Sequence, residues 1–204
     1  WIIENDWLET IVQIPDSMFF NTGITTYLWI VTNKKSSRRK GKIQLIDSSH
    51  FYTTMKKSLG NKRKFFNNTQ RDKILKTYIR FEENEFSKIF NNESFGYTKV
   101  TIEQPKVENG KLVRDKKYNL KPDTKLRDHE RIPLLKDIEQ YFSHEIEPYL
   151  SSPWIDFDKN KVGYEINFAK YFYQFNPLRS SEDISFDLLD LEKESENLLK
   201  QILE

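Results

Sequence analysis

The residues with the clearest chemical potential are cationic. Lys34, Lys35, Arg38, Arg39 and Lys40 form one run; Lys56, Lys57, Lys62, Arg63 and Lys64 form a second, interleaved with Gly60, Phe65 and Phe66. Cations clustered in this way neutralise phosphates and release counterions. Each run reads either as a polyanion contact or as a solvated hairpin tip, and the aromatic interleaving favours the second run for phosphate contact. Just ahead of the first run lies IPDSMFFNTGITTYLWIV (residues 14–31), a proline-led loop with two adjacent phenylalanines, Phe19 and Phe20. Apolar loop residues usually pack, so at least one of the pair is expected in the core.

Catalytic and metal-binding patterns are missing. The six glycines (23, 41, 60, 96, 110 and 163) are too far apart for a phosphate or dinucleotide loop. His50, His129 and His144 have no metal-ligand spacing, and no pair of carboxylates is singled out. No metal is expected. With no cysteine there is no disulfide and no thiolate chemistry, which fits a reducing cytoplasm.

The elements that would position these residues read as α/β. The 204 residues suit one domain with an extension, and 15 Phe, 10 Tyr and 4 Trp supply a packed interior despite 31% charged residues. LETIVQI (8–14), TTYLWIVT (25–32) and GKIQLID (41–47) read as strands. The short polar link NKKSSRRKG predicts that the second and third form an antiparallel hairpin. A helix follows in NNTQRDKILKTYIRF, with a capping box at Thr69 and Asp72 and with Ile74, Leu75, Tyr78 and Ile79 on one face. FGYTKVTIEQP (95–105) alternates as a strand, and residues 106–130 read as an exposed excursion. DIEQYFSHEIEPYL puts Ile138, Tyr141, Phe142, Ile146 and Tyr149 on one stripe. The aromatic segment KVGYEINFAKYFYQF is expected to pack under a last helix, about 181–204. No apolar run approaches a membrane span. The opening WIIENDWLE reads as a helix end running into a strand, so the chain is expected to be a piece of something longer. Charge is uneven: residues 1–80 hold 15 Lys/Arg against 6 Asp/Glu, net +9, and the remainder is net −7. A basic first part suggests a polyanion partner, and an acidic second part suggests solvent or a protein partner.

Residues 1–49, WIIENDWLETIVQIPDSMFFNTGITTYLWIVTNKKSSRRKGKIQLIDSS, closely resemble the methylation subunit of type I restriction–modification systems, an adenine-N6 DNA methyltransferase. KSLGNKRK, FEENEFSKIF, FGYTKVTIEQP, IPLLKDIEQYF and KVGYEINFAKYFYQF extend the resemblance in order over nearly the whole chain; 106–130 is its weakest part. The resemblance implies the last strands of a doubly wound S-adenosylmethionine-dependent methyltransferase sheet ending in an antiparallel hairpin (1–60). It implies a mainly helical C-terminal extension (61–180) and a docking helix (181–204). The family's cofactor loop and its Asn-Pro-Pro-aromatic tetrapeptide are absent. FNPLR (175–179) lacks the second proline and the aromatic. No catalytic residue is therefore expected in these 204, and S-adenosylmethionine would be bound mainly by residues outside them.

The resemblance also implies an answer for the phenylalanine pair. An enzyme that modifies a base takes it out of the stack and holds it against an aromatic face. Phe19 is the better match to the family's stacking aromatic and Phe20 the second choice. Double-stranded DNA is the implied partner, with sequence reading assigned to a specificity subunit, alongside a restriction subunit. Leu188, Leu191, Leu198 and Ile202, at heptad-like spacing in the last helix, would dock a subunit through a short bundle contact, since Ser195 interrupts the seam. A non-enzymatic DNA-binding module and a subunit-docking interaction domain are the alternatives.

Overall fold

A computed structural model describes the chain except Gln174, Asn176 and Glu204; of Asn197 and residues 199–203 it describes the backbone alone. It divides into two units, Trp1–Phe172 and Tyr173–Glu204.

The apolar run before Pro15 becomes the hub of the first sheet. The elements in order are β1 (Leu8–Ile14), β2 (Thr26–Val31), β3 (Lys42–Asp47), β4 (Thr53–Leu59), β5 (Lys62–Phe65), α1 (Asn68–Arg80) and β6 (Ser87–Asn91). The sheet order is β2-β1-β3-β6. β1 pairs antiparallel with β2 but parallel with β3, and β3 pairs antiparallel with β6. The predicted β2–β3 hairpin is therefore not formed, because the link between them wraps the start of β1. Thr32 N–H donates to the Trp7 carbonyl (2.9 Å), Lys35 Nζ donates to Asp6 Oδ1 (2.6 Å), and Gly41 N–H donates to Asp6 Oδ2 (2.9 Å). Asp6 recruits the link and turns it into a crossover, which parallel pairing requires. β2 is bonded on one side only among the described strands, and it leaves Tyr27, Leu28, Trp29 and Val31 exposed.

The core of this sheet is Leu8, Ile11, Ile43 and Leu45 with Ile3, Phe95 and Phe168; Tyr164, Ile166, Tyr171 and Phe172 pack against it. The aromatic segment thus covers the first sheet. α1 is capped by Asn67 and Gln70, whose side chains each bond the other's backbone N–H, rather than by Thr69 and Asp72. Its inward face is Ile74, Thr77 and Tyr78, while Leu75 and Ile79 are exposed.

The extension is mixed rather than mainly helical. β7 (Gly96–Glu103), β8 (Val107–Glu108), β9 (Lys111–Leu112), β10 (Asp128–Pro133), α2 (Ile138–Glu145), β11 (Trp154–Ile155), β12 (Lys161–Tyr164) and α3 (Phe168–Phe172) follow. β10, β11 and β12 all pair antiparallel with β7. Val100, Ile102, Ile132, Ile146 and Ile155 form a second core under Ile138, Tyr141 and Phe142 of α2; Tyr149 is exposed and leaves the predicted stripe. The 106–130 excursion is largely exposed and contains the β8–β9 hairpin, turned at Asn109 and Gly110, both with positive φ. In the second unit, α4 (Ser181–Leu203) is one long helix.

Candidate nucleic-acid interface

The loop between β1 and β2 is anchored by Pro15, which is fully buried. With that anchor in place neither phenylalanine is needed as a plug. Phe19 is 47% and Phe20 57% exposed, so the expectation that one of them sits in the core is overturned. The structure gives the loop instead to the β4–β5 hairpin. The N–H groups of Arg63 and Lys64 converge on the Ser17 carbonyl (2.9 and 3.2 Å), and Asn61 N–H donates to the Phe20 carbonyl (3.0 Å). Lys64 pairs with Asp16, whose carboxyl it holds below its ordinary range. The Lys62 ammonium stands 5.2 Å from the centre of the Phe20 ring, and that of Lys64 lies 3.9 Å from the centre of Tyr52. Lys62, over the Phe20 face and with no carboxylate partner among the described residues, stays available to an anion, whereas Lys64 is already paired with Asp16.

The second basic run is thus joined to the phenylalanine loop. Lys56, Lys57 and Arg63 are exposed, and Lys62 and Lys64 are half-buried, all on β4 and β5. At Lys62 charge and aromatic surface meet beside Phe20, the combination that binds unstacked nucleotides, while Arg63, between Lys62 and Lys64 on β5, leaves the strand on the opposite face.

The first run comes apart, a correction to its reading as one phosphate surface. Lys35 is buried on Asp6. Arg39 is 3% exposed: its Nε lies 3.3 Å from Glu9 Oε1, and Nη1 donates to Thr10 Oγ1 (3.3 Å) and Gln44 Oε1 (3.2 Å). Its guanidinium sits 4.4 and 4.2 Å from the ring centres of Tyr78 and Phe81. Tyr78 Oη donates to the other Glu9 oxygen (2.7 Å); burial, then this bond, raises the phenol's pKa. Arg38 donates to the carbonyls of Ile79 and Arg80, where the negative end of the α1 dipole favours a cation. Only Lys34 and Lys40 remain as free-standing exposed cations of that run.

Among the described residues no group of three or more His, Asp or Glu is placed to hold a metal. A Cβ at Gly60, Gly96 or Gly163 would run into Phe20, Leu134 or Tyr97, so these three glycines are close-packing positions, while Gly41 and Gly110 are open. No described helix is long and apolar enough to cross a membrane. On α4, Leu188, Leu191 and Leu198 are exposed, as are Phe186 and Leu189, which the heptad reading missed; the side chain of Ile202 lies outside the described residues.

Comparison with known proteins places the chain in a family. The N-6 DNA methylase family model matches residues 1–130, which include both the loop and the hairpin. The methylase subunit of the MjaIX type I restriction enzyme from Methanocaldococcus jannaschii is 26% identical over 117 residues, covering 57% of this chain and 20% of that protein. The crystal structure of a type I restriction-modification methyltransferase subunit from Streptococcus thermophilus matches at a TM-score of 0.40 and 24% identity, over 46% of this chain and 19% of that one. The chain spans about a fifth of the length of either protein.

Proposed function

The chain belongs to the N-6 DNA methylase family, and from that premise we propose that it is the DNA-gripping part of a type I methylation subunit. The whole protein would transfer the methyl group of S-adenosylmethionine to N6 of adenine in DNA, in the cytoplasm. The cofactor would be held by residues outside this chain, so the chain alone should transfer nothing. Specificity and restriction subunits would be its protein partners, with the exposed leucines of α4 docking one of them.

The observation that carries the reading is the exposed Phe19–Phe20 loop hydrogen-bonded to the cationic hairpin. Flipping an adenine out of a duplex costs a few kcal/mol of stacking and pairing. An aromatic face returns about 1–3 kcal/mol of that. Phe19 would stack on the flipped base, and Lys56, Lys57, Lys62, Arg63 and Lys64 would neutralise neighbouring phosphates.

The test is Phe19→Ala in the whole methylation complex, with tritiated methyl transfer as the readout. Loss of one stacking face should lower kcat/KM by about 5- to 150-fold. Transfer at the wild-type rate and affinity would end the stacking role.

A further inference from the structure

The hairpin meets the aromatic loop through its backbone, at a point where only glycine fits. Gly60 has φ +60°, and a Cβ built on it would lie 2.9 Å from the Phe20 carbonyl oxygen. That same oxygen accepts the Asn61 N–H. Three residues earlier, the Ser17 carbonyl accepts two N–H groups from β5. Both ends of Ser17–Phe20 are therefore tied to one hairpin, and Ser17, at the first tie, holds a left-handed backbone (φ +57°). The Phe20 carbonyl is tied while its ring stays more than half exposed, beside the Lys62 ammonium.

We propose that Gly60 is a positioning residue and that the β4–β5 tip sets the aromatic loop in its nucleotide-binding pose. The site would take a single unstacked nucleotide, its base on the Phe19–Phe20 loop and its phosphate on Lys62, whose ammonium stands beside the Phe20 ring. This deepens the stacking reading and rests on it. A loop ordered in advance does not lose conformational freedom when the ligand arrives. Any L-residue at position 60 must both adopt a strained φ and push on a backbone oxygen, which cannot swing aside as a side-chain end would. The charges of the hairpin are untouched by that change, so charge and pose can be separated.

The probe is a single-stranded oligonucleotide carrying one 2-aminopurine, titrated into the 204-residue chain, with inorganic polyphosphate as the base-free comparison. Wild type should bind both and change the 2-aminopurine fluorescence. Gly60→Ala should keep its polyphosphate affinity, lose most of the fluorescence change and bind the oligonucleotide about tenfold more weakly. A Gly60→Ala chain with wild-type fluorescence amplitude and affinity overturns the positioning role alone. A wild-type chain that binds without any fluorescence change overturns the stacking reading together with it. If Gly60→Ala does not fold, amide hydrogen exchange on wild type decides. Protected amides at Asn61, Arg63 and Lys64 support the tie, and exchange at unstructured rates overturns it.

Discussion

Arg39→Ala separates a structural cation from a nucleic-acid one. Arg39 and Glu9 are 3% and 8% exposed, and the guanidinium is the only cation paired with that carboxylate among the described residues. Truncating it leaves a buried carboxylate without its countercharge, which typically costs about 3–5 kcal/mol. The Tyr78 hydroxyl still donates to Glu9, pulling the cost toward the lower end. Losing the guanidinium from the faces of Tyr78 and Phe81 adds about 1 kcal/mol. The expected loss is about 4 kcal/mol, a large share of the roughly 5–15 kcal/mol that holds a domain folded. Urea unfolding followed by tryptophan fluorescence reads it as a lower midpoint at nearly constant slope. The double change Arg39→Met with Glu9→Leu should recover part of the loss, because it removes the unpaired buried charge but leaves the Tyr78 hydroxyl without its Glu9 acceptor. Lys56→Gln with Arg63→Gln supplies the contrast. It should leave the urea midpoint in place and make the dependence of log K on log salt shallower, by about 0.7–0.9 for each phosphate that is no longer neutralised. If Arg39→Ala unfolds at the wild-type midpoint while flattening the salt dependence, the assignment of Arg39 to the core is wrong.

Two further outcomes follow from particular residues. Burial pushes the Asp6 carboxyl up, but Lys35, the Gly41 N–H and Asn92 outweigh it and hold its pKa below the ordinary value. The stability this gives is in place above the unfolded-state pKa and is lost as pH falls through the folded one. Asp6→Asn should therefore lose less stability than wild type between about pH 5 and pH 2 by urea midpoint, and parallel losses in the two proteins would refute the linkage. On α4, Leu188→Asp with Leu191→Asp should abolish co-purification with the partner subunits while the helix content measured by circular dichroism stays the same; retained co-purification would remove α4 from the interface.

The strands β1 and β3 were legible because apolar and β-branched runs bounded by Pro15 and Gly41 allow little else. Their order was not. In the sequence Lys35 and Arg39 are indistinguishable from Lys34, Arg38 and Lys40, and what selects them is the pair of carboxylates at Asp6 and Glu9, about thirty residues earlier in the chain. β1 slips one residue against β2 between Leu8 and Thr10, so Glu9 is the extra residue of a bulge, which re-aims a side chain as bulges do. Two buried partners turn a polar link into a crossover, and a rule based on link length and polarity fails for that reason. The α1 stripe failed similarly: Leu75 and Ile79 match the period but face away, while Thr77 is buried where Gln44 Nε2 donates to its carbonyl (3.1 Å).

The candidate site was legible in its parts and not in its assembly. Phe19, Phe20 and the second basic run are visible as residue types, and the family resemblance gave them roles. What joins them is two backbone carbonyls, on Ser17 and Phe20, and an acceptor that every residue carries leaves no trace in the sequence. Gly60 is the one mark of the joint, yet it reads as an ordinary turn glycine until Phe20 is seen against it. Burial of Pro15 decides the rest. With the proline ring anchoring the loop, packing no longer requires either phenylalanine, and two large aromatic faces stay in solvent, that of Phe20 beside Lys62. Exposure of that much aromatic surface costs stability in the free chain. A nucleotide base supplies the apolar face that would offset it, and the cation beside it supplies the attraction for the phosphate.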